Sequence, residues 1–149
     1  MTDLLIMAYV FGTNEADDLL GTDIGVKTDA LQDALYRKFK DKDFAERIAE
    51  YVKANDLEGI LRVAETEMHR DYSAGVYDTA KASGKNPHKV WVTMADEKVR
   101  ETHWYLHNVS VPLEDRFYTF DGDSARYPGD FTLASNNTNC RCYLTVKAV

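Results

Sequence analysis

The chain has 149 residues, of which 44% are hydrophobic and 29% are charged. This length and balance are ordinary for a folded, soluble chain with one buried core. The formal net charge of −7 argues against broad, sequence-independent contact with nucleic acid, because such contact depends on cationic side chains that neutralise phosphates.

The first 42 residues predict a helical lead-in that breaks at Gly21 and Gly25. Its apolar opening, residues 4–11, is far shorter than the roughly 20 apolar residues of a bilayer span. It also lacks the basic residues of a signal peptide, since Asp3 is the only charge near it. We therefore expect a cytosolic chain whose lead-in is buried against the rest of the fold or faces a partner. So abrupt an apolar start is also compatible with a fragment of a longer polypeptide.

Three helices are predicted after Gly25, and the first of them lies within the 42-residue lead-in. Thr28 or Asp29 is a suitable N-cap for a helix that carries Leu31, Leu35 and Phe39 at four-residue steps. Two further helices are predicted within residues 43–83, and their boundaries are set by polar and breaking residues. They are a helix capped by Asp41 or Asp43 and a long helix over about 57–83, which Gly84 and Pro87 terminate.

The character of the sequence changes after Gly84. Residues 88–94 are rich in β-formers and predict a strand, and Asp96 is a suitable N-cap for a short helix through Val99 and His103. Short β-prone segments and turn signals follow. They are residues 109–113, 117–120 and 142–146, with turns at 121–123 and 128–130. The sequence thus predicts an α+β fold, with a helical N-terminal half, a long central helix and a small, turn-rich, β-containing unit over 88–149.

Cys140 and Cys142 are the only cysteines, and a single residue separates them. In an extended segment both sulfurs point to one face, but a disulfide is not expected because the Cβ atoms would lie about 6–7 Å apart. Together with His103 they offer three of the four ligands of a structural zinc site. Candidates for the fourth ligand are His107, Asp96, Asp123 and Asp130. The alternative is two reduced cysteines packed as small hydrophobic side chains beside an ordinarily hydrogen-bonded histidine.

Two further groups have possible catalytic interpretations. Glu65 and Glu67 have the spacing of a glutamate pair found in ADP-ribosyltransferases, but on a helix they diverge, which favours a solvated face. Asp96, Arg100 and His103 are four and three residues apart and would share a helix face. We favour a structural interpretation of this second group, in which Asp96 caps a helix, Arg100 bonds loop carbonyls and His103 is packed.

Eight aromatic side chains lie within residues 91–131, where they are interpreted as core rather than as a nucleic-acid stacking surface. They are Trp91, Trp104, Tyr105, Phe117, Tyr118, Phe120, Tyr127 and Phe131.

Several short motifs in a fixed order resemble one protein family. The order is Ala64-Glu65-Thr66-Glu67, Lys89-x-Trp91, Asp96-x-x-Val99-Arg100-x-x-His103, Leu106, Val111-Pro112-Leu113, Phe117, Tyr127-Pro128-Gly129-Asp130 and Asn139-Cys140-Arg141-Cys142. This pattern is similar to the phage Mu F-protein-like head morphogenesis family of minor head (minor capsid) proteins. The resemblance covers residues 44–146, within a minor-head-like module over 43–149.

This resemblance implies a structural protein that acts in head morphogenesis or DNA delivery near the portal, with no assigned catalysis. It implies portal, capsid or scaffold proteins as partners, and a place in the virion head or, during assembly, in the host cytoplasm. The family pattern also has a histidine and two cysteines at the positions of His103, Cys140 and Cys142. Some members carry a toxin or transferase domain after this module, and we expect none within the 149 residues.

The sequence departs from the family pattern after Leu106, where His107-Asn108 replaces a frequent Asp-Gly turn. Asparagine tolerates a left-handed backbone, so the turn is expected to be kept. The competing function is a metal-dependent hydrolase or nuclease that uses Asp96, His103, Cys140 and Cys142. An open coordination position at the base of a cleft would favour that enzyme, and a closed site would favour architecture.

Overall fold

The computed structural model describes residues 2–149, which form six helices and five strands. The elements in chain order are α1 (Thr2–Leu20), α2 (Thr28–Leu35), α3 (Phe44–Lys53), α4 (Leu57–Ala82), β1 (His88–Val92), α5 (Glu101–Trp104), β2 (Ser110–Pro112), β3 (Phe117–Tyr118), β4 (Ser124–Ala125), α6 (Ala134–Asn137) and β5 (Tyr143–Lys147). The α+β class predicted from the sequence is confirmed. None of these helices is long and apolar enough to cross a bilayer, as far as residues 2–149 show.

Helices α1 and α4 pack at unusually short distance because each has a glycine at the contact. A Cβ atom on Gly12 would lie 2.0 Å from the carbonyl oxygen of Tyr72, and one on Gly75 would lie 2.3 Å from that of Tyr9. The two backbones therefore touch where neither residue has a side chain. Across this contact the Tyr9 hydroxyl donates a 2.6 Å hydrogen bond to Asp78.

Helix α2 is shorter than predicted. It begins at Thr28 and ends at Leu35, and its N-cap is Lys27, which makes no side-chain cap bond. The prediction of Thr28 or Asp29 as the N-cap is therefore wrong. Phe39 forms an isolated β-bridge with Lys42 instead of continuing the helix. Lys40 and Asp41 between them adopt φ angles of 51° and 66°. This left-handed turn cannot belong to a right-handed helix, so the prediction that α2 continues through Phe39 is wrong.

The next two helices begin and end close to the predicted positions. Asp43 caps α3 by accepting a hydrogen bond from the Glu46 amide, and Asp56 caps α4 by accepting one from the Gly59 amide. Beyond α4, Gly84 adopts a φ of 67°, which is the left-handed conformation expected after a helix C-terminus.

A three-stranded antiparallel sheet has the order β2-β1-β5, so the predicted strand after α4 is its central member. Helix α4 packs against β5. Strands β3 and β4 form a separate hairpin in which Phe117 pairs with Ala125. Strand β4 was not predicted, because two residues carry too little periodicity to be recognised. Asn108 adopts a φ of 62°. The left-handed turn is therefore kept at His107-Asn108, where the sequence departs from the family pattern.

The eight aromatic side chains of residues 91–131 divide evenly between core and surface. Trp91, Phe117, Tyr127 and Phe131 are buried, whereas Trp104, Tyr105, Tyr118 and Phe120 are exposed. The core prediction is therefore right for the first four and wrong for the rest. Tyr118 is exposed because the two-residue strand β3 buries only one of its two side chains, and Tyr105 and Phe120 lie in turns outside the helices and strands.

The short helix after β1 also begins later than predicted. Its range is Glu101–Trp104 and its N-cap position is Arg100, without a side-chain cap bond. Asp96 lies in the preceding loop, where it accepts a hydrogen bond from the Lys98 amide. The left-handed backbone at Ala95, with a φ of 54°, separates this loop from the strand. Asp96, Arg100 and His103 consequently do not share a helix face.

Candidate metal centre

Three metal-ligating side chains from distant parts of the sequence meet at one buried point. His103 comes from α5, and Cys140 and Cys142 come from the segment that leads into β5. The Nδ1 atom of His103 lies 3.7 Å from the sulfur of Cys140 and 3.7 Å from that of Cys142. The three donor atoms all lie within 4.8 Å of one another. The structure therefore brings together the three ligands that the sequence proposed, and both thiols are free.

Aromatic packing fixes the orientation of the His103 ring. The ring stacks on Phe131 at a centroid distance of 5.3 Å and meets the edge of Trp91 at 5.4 Å. Its Nε2 atom is buried, with no hydrogen-bond partner among residues 2–149. Nδ1 is therefore the ring nitrogen that has polar neighbours, and these are the two sulfurs.

The backbone around the cysteines is held from two sides. The Asn139 residue has a φ of 60°, and its amide donates a 3.0 Å hydrogen bond to the Thr66 hydroxyl on α4. Arg100 donates hydrogen bonds to the carbonyls of Ser135 and Thr138. This is the role expected for a structural arginine, and it ties the start of α5 to the segment before Cys140.

The two thiols differ in their electrostatic state. The pKa of Cys140 is well below its usual range because its sulfur accepts a hydrogen bond from Cys142, with a further contribution from His103. The pKa of Cys142 is raised because it donates to that neighbouring sulfur and is itself buried. The thiolate is the form of cysteine that ligates metals.

The space beside the three ligands is a cavity of about 10 Å³. It is lined by the site residues and by Met94, Lys98, Val99, Arg100, Asn139 and Arg141. Such a volume is close to the minimum for one water molecule. The cavity is not a cleft that could admit a substrate, so the arrangement differs from the open site expected of a metal-dependent hydrolase.

None of the four residues considered as a fourth ligand joins the group, as far as residues 2–149 show. His107 instead accepts a 3.1 Å hydrogen bond from the backbone amide of Thr93. Asp96 forms an ion pair with Arg141 at 2.6 Å. Asp123 accepts bonds from three backbone amides, and Asp130 is held by two arginines. Each of the four therefore has another structural role.

A second histidine near the site was not considered from the sequence. His69 lies on α4, one helical turn beyond Thr66, and it is half-buried. Burial lowers its pKa, and the negative charge of Cys140 opposes that shift. No sequence pattern indicates this neighbour, because its position near Cys140 depends on how α4 packs against the segment at Asn139.

The glutamate pair on α4 does not form a shared site. Glu65 is exposed, as predicted, but Glu67 is buried, so the prediction of a solvated face is wrong for this residue. Arg70 donates a 2.7 Å hydrogen bond to Glu67, and Arg47 donates another at 2.8 Å. Burial opposes ionisation of Glu67, but the two arginines outweigh it and lower the pKa.

Comparison with known proteins gives two relatives. The chain is 36% identical over 110 residues to the NAD(+)--arginine ADP-ribosyltransferase EFV of Enterococcus faecalis, a match that covers 70% of the chain and 22% of that protein. It is 31% identical over 83 residues to the minor head protein GP7 of Bacillus phage SPP1, covering 54% of the chain and 27% of that protein. The chain therefore spans about a quarter of the length of these curated relatives. No solved structure matches it significantly.

The family comparison covers most of the fold. The family described as Phage Mu protein F like protein matches residues 26–145. This range begins before the resemblance found in the sequence and contains every element from α2 to α6. It also contains all three ligands of the candidate metal centre. The chain belongs to the Phage Mu protein F like family.

Proposed function

We propose that this chain is a structural minor head protein of a tailed bacteriophage or prophage, acting in head morphogenesis or DNA delivery near the portal. The observation that carries the proposal is the family match over residues 26–145, and the similarity to a phage minor head protein supports it. The partners are other structural proteins of the phage: the portal protein, the capsid protein or a scaffold. The chain acts in the virion, and in the host cytoplasm during assembly.

The form of the candidate metal centre supports a role without catalysis. Its three side chains are 1%, 5% and 3% exposed, and the adjoining cavity holds about 10 Å³. Hydrolysis requires a substrate beside the reacting solvent molecule, and this volume admits no more than about one water. The hydrolase or nuclease considered from the sequence has no further observation in its favour.

Similarity to a protein named as an ADP-ribosyltransferase raises a second candidate function, an ADP-ribosyl transfer reaction. The contacts of Glu65 and Glu67 on α4 do not favour it. That match covers 22% of the relative. In this chain the Glu67 carboxylate is enclosed by Arg47 and Arg70, whereas Glu65 faces solvent. A glutamate engaged by two arginines is not free to orient a nucleotide ribose. We therefore assign the chain the structural role and not the transfer reaction.

The outer face of α1 is the surface that we propose for contact with another head protein. Leu4, Met7 and Phe11 are 44%, 51% and 57% exposed. Their spacing of three and four residues places them on one side of the helix. Exposed apolar side chains in such a row are typical of protein–protein contacts, where they become buried on assembly.

Co-purification with head proteins of the parent phage tests this function. The tagged chain is expressed together with the portal, capsid or scaffold protein of the phage or prophage that encodes it, and complexes are isolated by size. We expect one of these proteins to form a stable complex with the chain. The double variant Met7→Glu and Phe11→Glu should weaken that complex at least about tenfold, because each buried apolar side chain contributes about 1.5–3 kcal/mol.

The matched control places the same charge on a different exposed surface. Tyr118 is 68% exposed on β3, so Tyr118→Glu should leave the complex intact. If none of the three head proteins binds the wild-type chain, the proposed function is contradicted. If the control weakens the complex as much as the double variant does, α1 is not the contact face.

A further inference from the structure

We propose that His103, Cys140 and Cys142 bind one zinc ion, which fastens α5 to the segment leading into β5. Zinc is preferred to a harder cation because the donors are one imidazole and two sulfurs, and zinc binds nitrogen and thiolate sulfur. The inference does not depend on the function proposed above, because it rests on the geometry of the three side chains.

The spacing of the donor atoms fits a metal ion. At about 2.3 Å for a zinc–sulfur bond and about 2.0 Å for a zinc–nitrogen bond, tetrahedral angles separate nitrogen from sulfur by about 3.5 Å. The His103 Nδ1 atom lies 3.7 Å from each sulfur. These distances allow weak hydrogen bonds to sulfur, and they are also close to the separations across a shared zinc ion. Small shifts of the side chains would therefore be enough to bind it.

The burial of the group gives a second reason. His103, Cys140 and Cys142 are all buried, and His103 presents to both sulfurs the ring edge that is not covered by aromatic side chains. Buried polar atoms are stable only when they have a partner. One zinc ion would be a shared partner for all three donor atoms, with the thiols bound in their deprotonated form.

The role of such an ion is structural. It would join α5, a helix of four residues, to a chain segment 37 residues away at Cys140. The elements between them are two- and three-residue strands and a four-residue helix, which provide few hydrogen bonds of their own. A metal crosslink contributes most where the regular structure is this short. The cavity of about 10 Å³ leaves room for one solvent molecule as a fourth ligand and none for a substrate beside it, so the position occupied by solvent would not serve catalysis.

Metal analysis of the purified full-length chain tests the proposal. Elemental analysis after dialysis should find about one zinc ion per chain. Cys140→Ser and Cys142→Ser should each lose most of that zinc. His107→Gln is the matched control and should retain it, because His107 bonds to Thr93 and lies outside the group.

Cobalt substitution keeps the test decisive if the cysteine variants do not fold. Wild-type chain stripped of metal and titrated with Co²⁺ should give intense thiolate-to-cobalt charge-transfer bands and the visible bands of a tetrahedral ion. Added Zn²⁺ should displace the cobalt and raise the melting temperature. The proposal is overturned if no zinc co-purifies and added Zn²⁺ leaves the melting temperature unchanged, or if the cobalt spectrum lacks thiolate bands.

Discussion

Glu67 shows how a single side chain can have a role that its sequence neighbours hide. Its pairing with Glu65 suggested an exposed helix face, yet the relevant neighbour is Arg70, one turn further along α4. Arg47 on α3 supplies the second cation, so Glu67 also joins two helices. The spacing to Arg70 could have been recognised in the sequence, but the contact with Arg47 depends on tertiary packing.

Glu67→Gln should destabilise the fold by about 3 kcal/mol, because it removes the buried carboxylate that accepts hydrogen bonds from Arg70 and Arg47. The measurement is the free energy of unfolding from urea denaturation at neutral pH. The control is Glu65→Gln, which changes an exposed side chain and should shift that free energy by less than about 0.5 kcal/mol. Equal effects of the two substitutions would contradict the assigned ion pairs.

The raised pKa of Asp71 predicts that the free energy of unfolding depends on pH. Burial and the charge of Glu67 raise the pKa of Asp71 to about 7, against the opposing effect of Arg70. Arg70 lies 3.3 Å away, but the Asp71 oxygens accept no hydrogen bond among residues 2–149. The folded state therefore keeps a proton that the unfolded state releases. Because the unfolded state binds fewer protons between about pH 4 and pH 7, the free energy of unfolding falls as the pH rises through this window.

The variant Asp71→Asn stays neutral at every pH and should remove this loss. The free energy of unfolding of this variant, relative to that of wild type, should increase by on the order of a few kcal/mol between pH 4 and pH 8. Urea denaturation at both pH values measures the difference. Asp18→Asn is the control, since Asp18 is exposed and should give the same difference at both pH values. A relative stability of Asp71→Asn that does not change with pH would disprove the raised pKa.

Among the contacts between whole helices, the contact between α1 and α4 depends most on individual residues. A methyl group at residue 75 would meet the Tyr9 carbonyl oxygen at 2.3 Å, and this backbone atom cannot rotate away. Gly75→Ala should therefore lower the melting temperature by several degrees, since overpacking costs about 1–3 kcal/mol and outweighs the gain of up to about 1 kcal/mol in helix propensity.

Thermal unfolding monitored by circular dichroism measures this effect. Asn14→Ala is the control, because Asn14 is exposed on α1 and the change improves helix propensity without altering the contact. It should leave the melting temperature equal or slightly higher. If Gly75→Ala raises the melting temperature as the control does, the helices do not touch at this position.

The regular elements were predictable to very different degrees. Helices α3 and α4 were predicted nearly to the residue, because their capping aspartates and apolar spacing agree with each other. Strand β4 and the end of α2 were not, since a two-residue strand and a left-handed turn at Lys40 leave little trace in a sequence. The three site residues were identified from their chemistry, but their distances depend on the packing of α5 against the segment before β5.

At the scale of the whole molecule, α1 lies outside the family match of residues 26–145 but inside the core. Its Tyr9, Ala16 and Leu20 belong to the same buried cluster as Trp91 and the two site cysteines. The helical lead-in and the C-terminal unit therefore share one core. We expect the family module to need α1 for its stability in this chain.

Deletion of residues 1–20 should cost about 5 kcal/mol or more, because Leu5, Tyr9 and Leu20 each contribute about 1.5–3 kcal/mol through burial. The shortened chain should lose cooperative thermal unfolding. The intact chain with Met7→Glu and Phe11→Glu is the control, since those side chains are exposed and its melting should resemble wild type. Cooperative melting of the shortened chain at the wild-type temperature would show that α1 is only an appendage.

The proposed function makes this chain a component of the phage head. Quantitative mass spectrometry of purified heads from the parent phage, with and without an intact gene for this chain, tests that claim most directly. We predict that the chain is present in wild-type heads at a low, fixed ratio to the portal protein and that its loss leaves defective particles. Heads that lack the chain and are normal in number and infectivity would contradict the account.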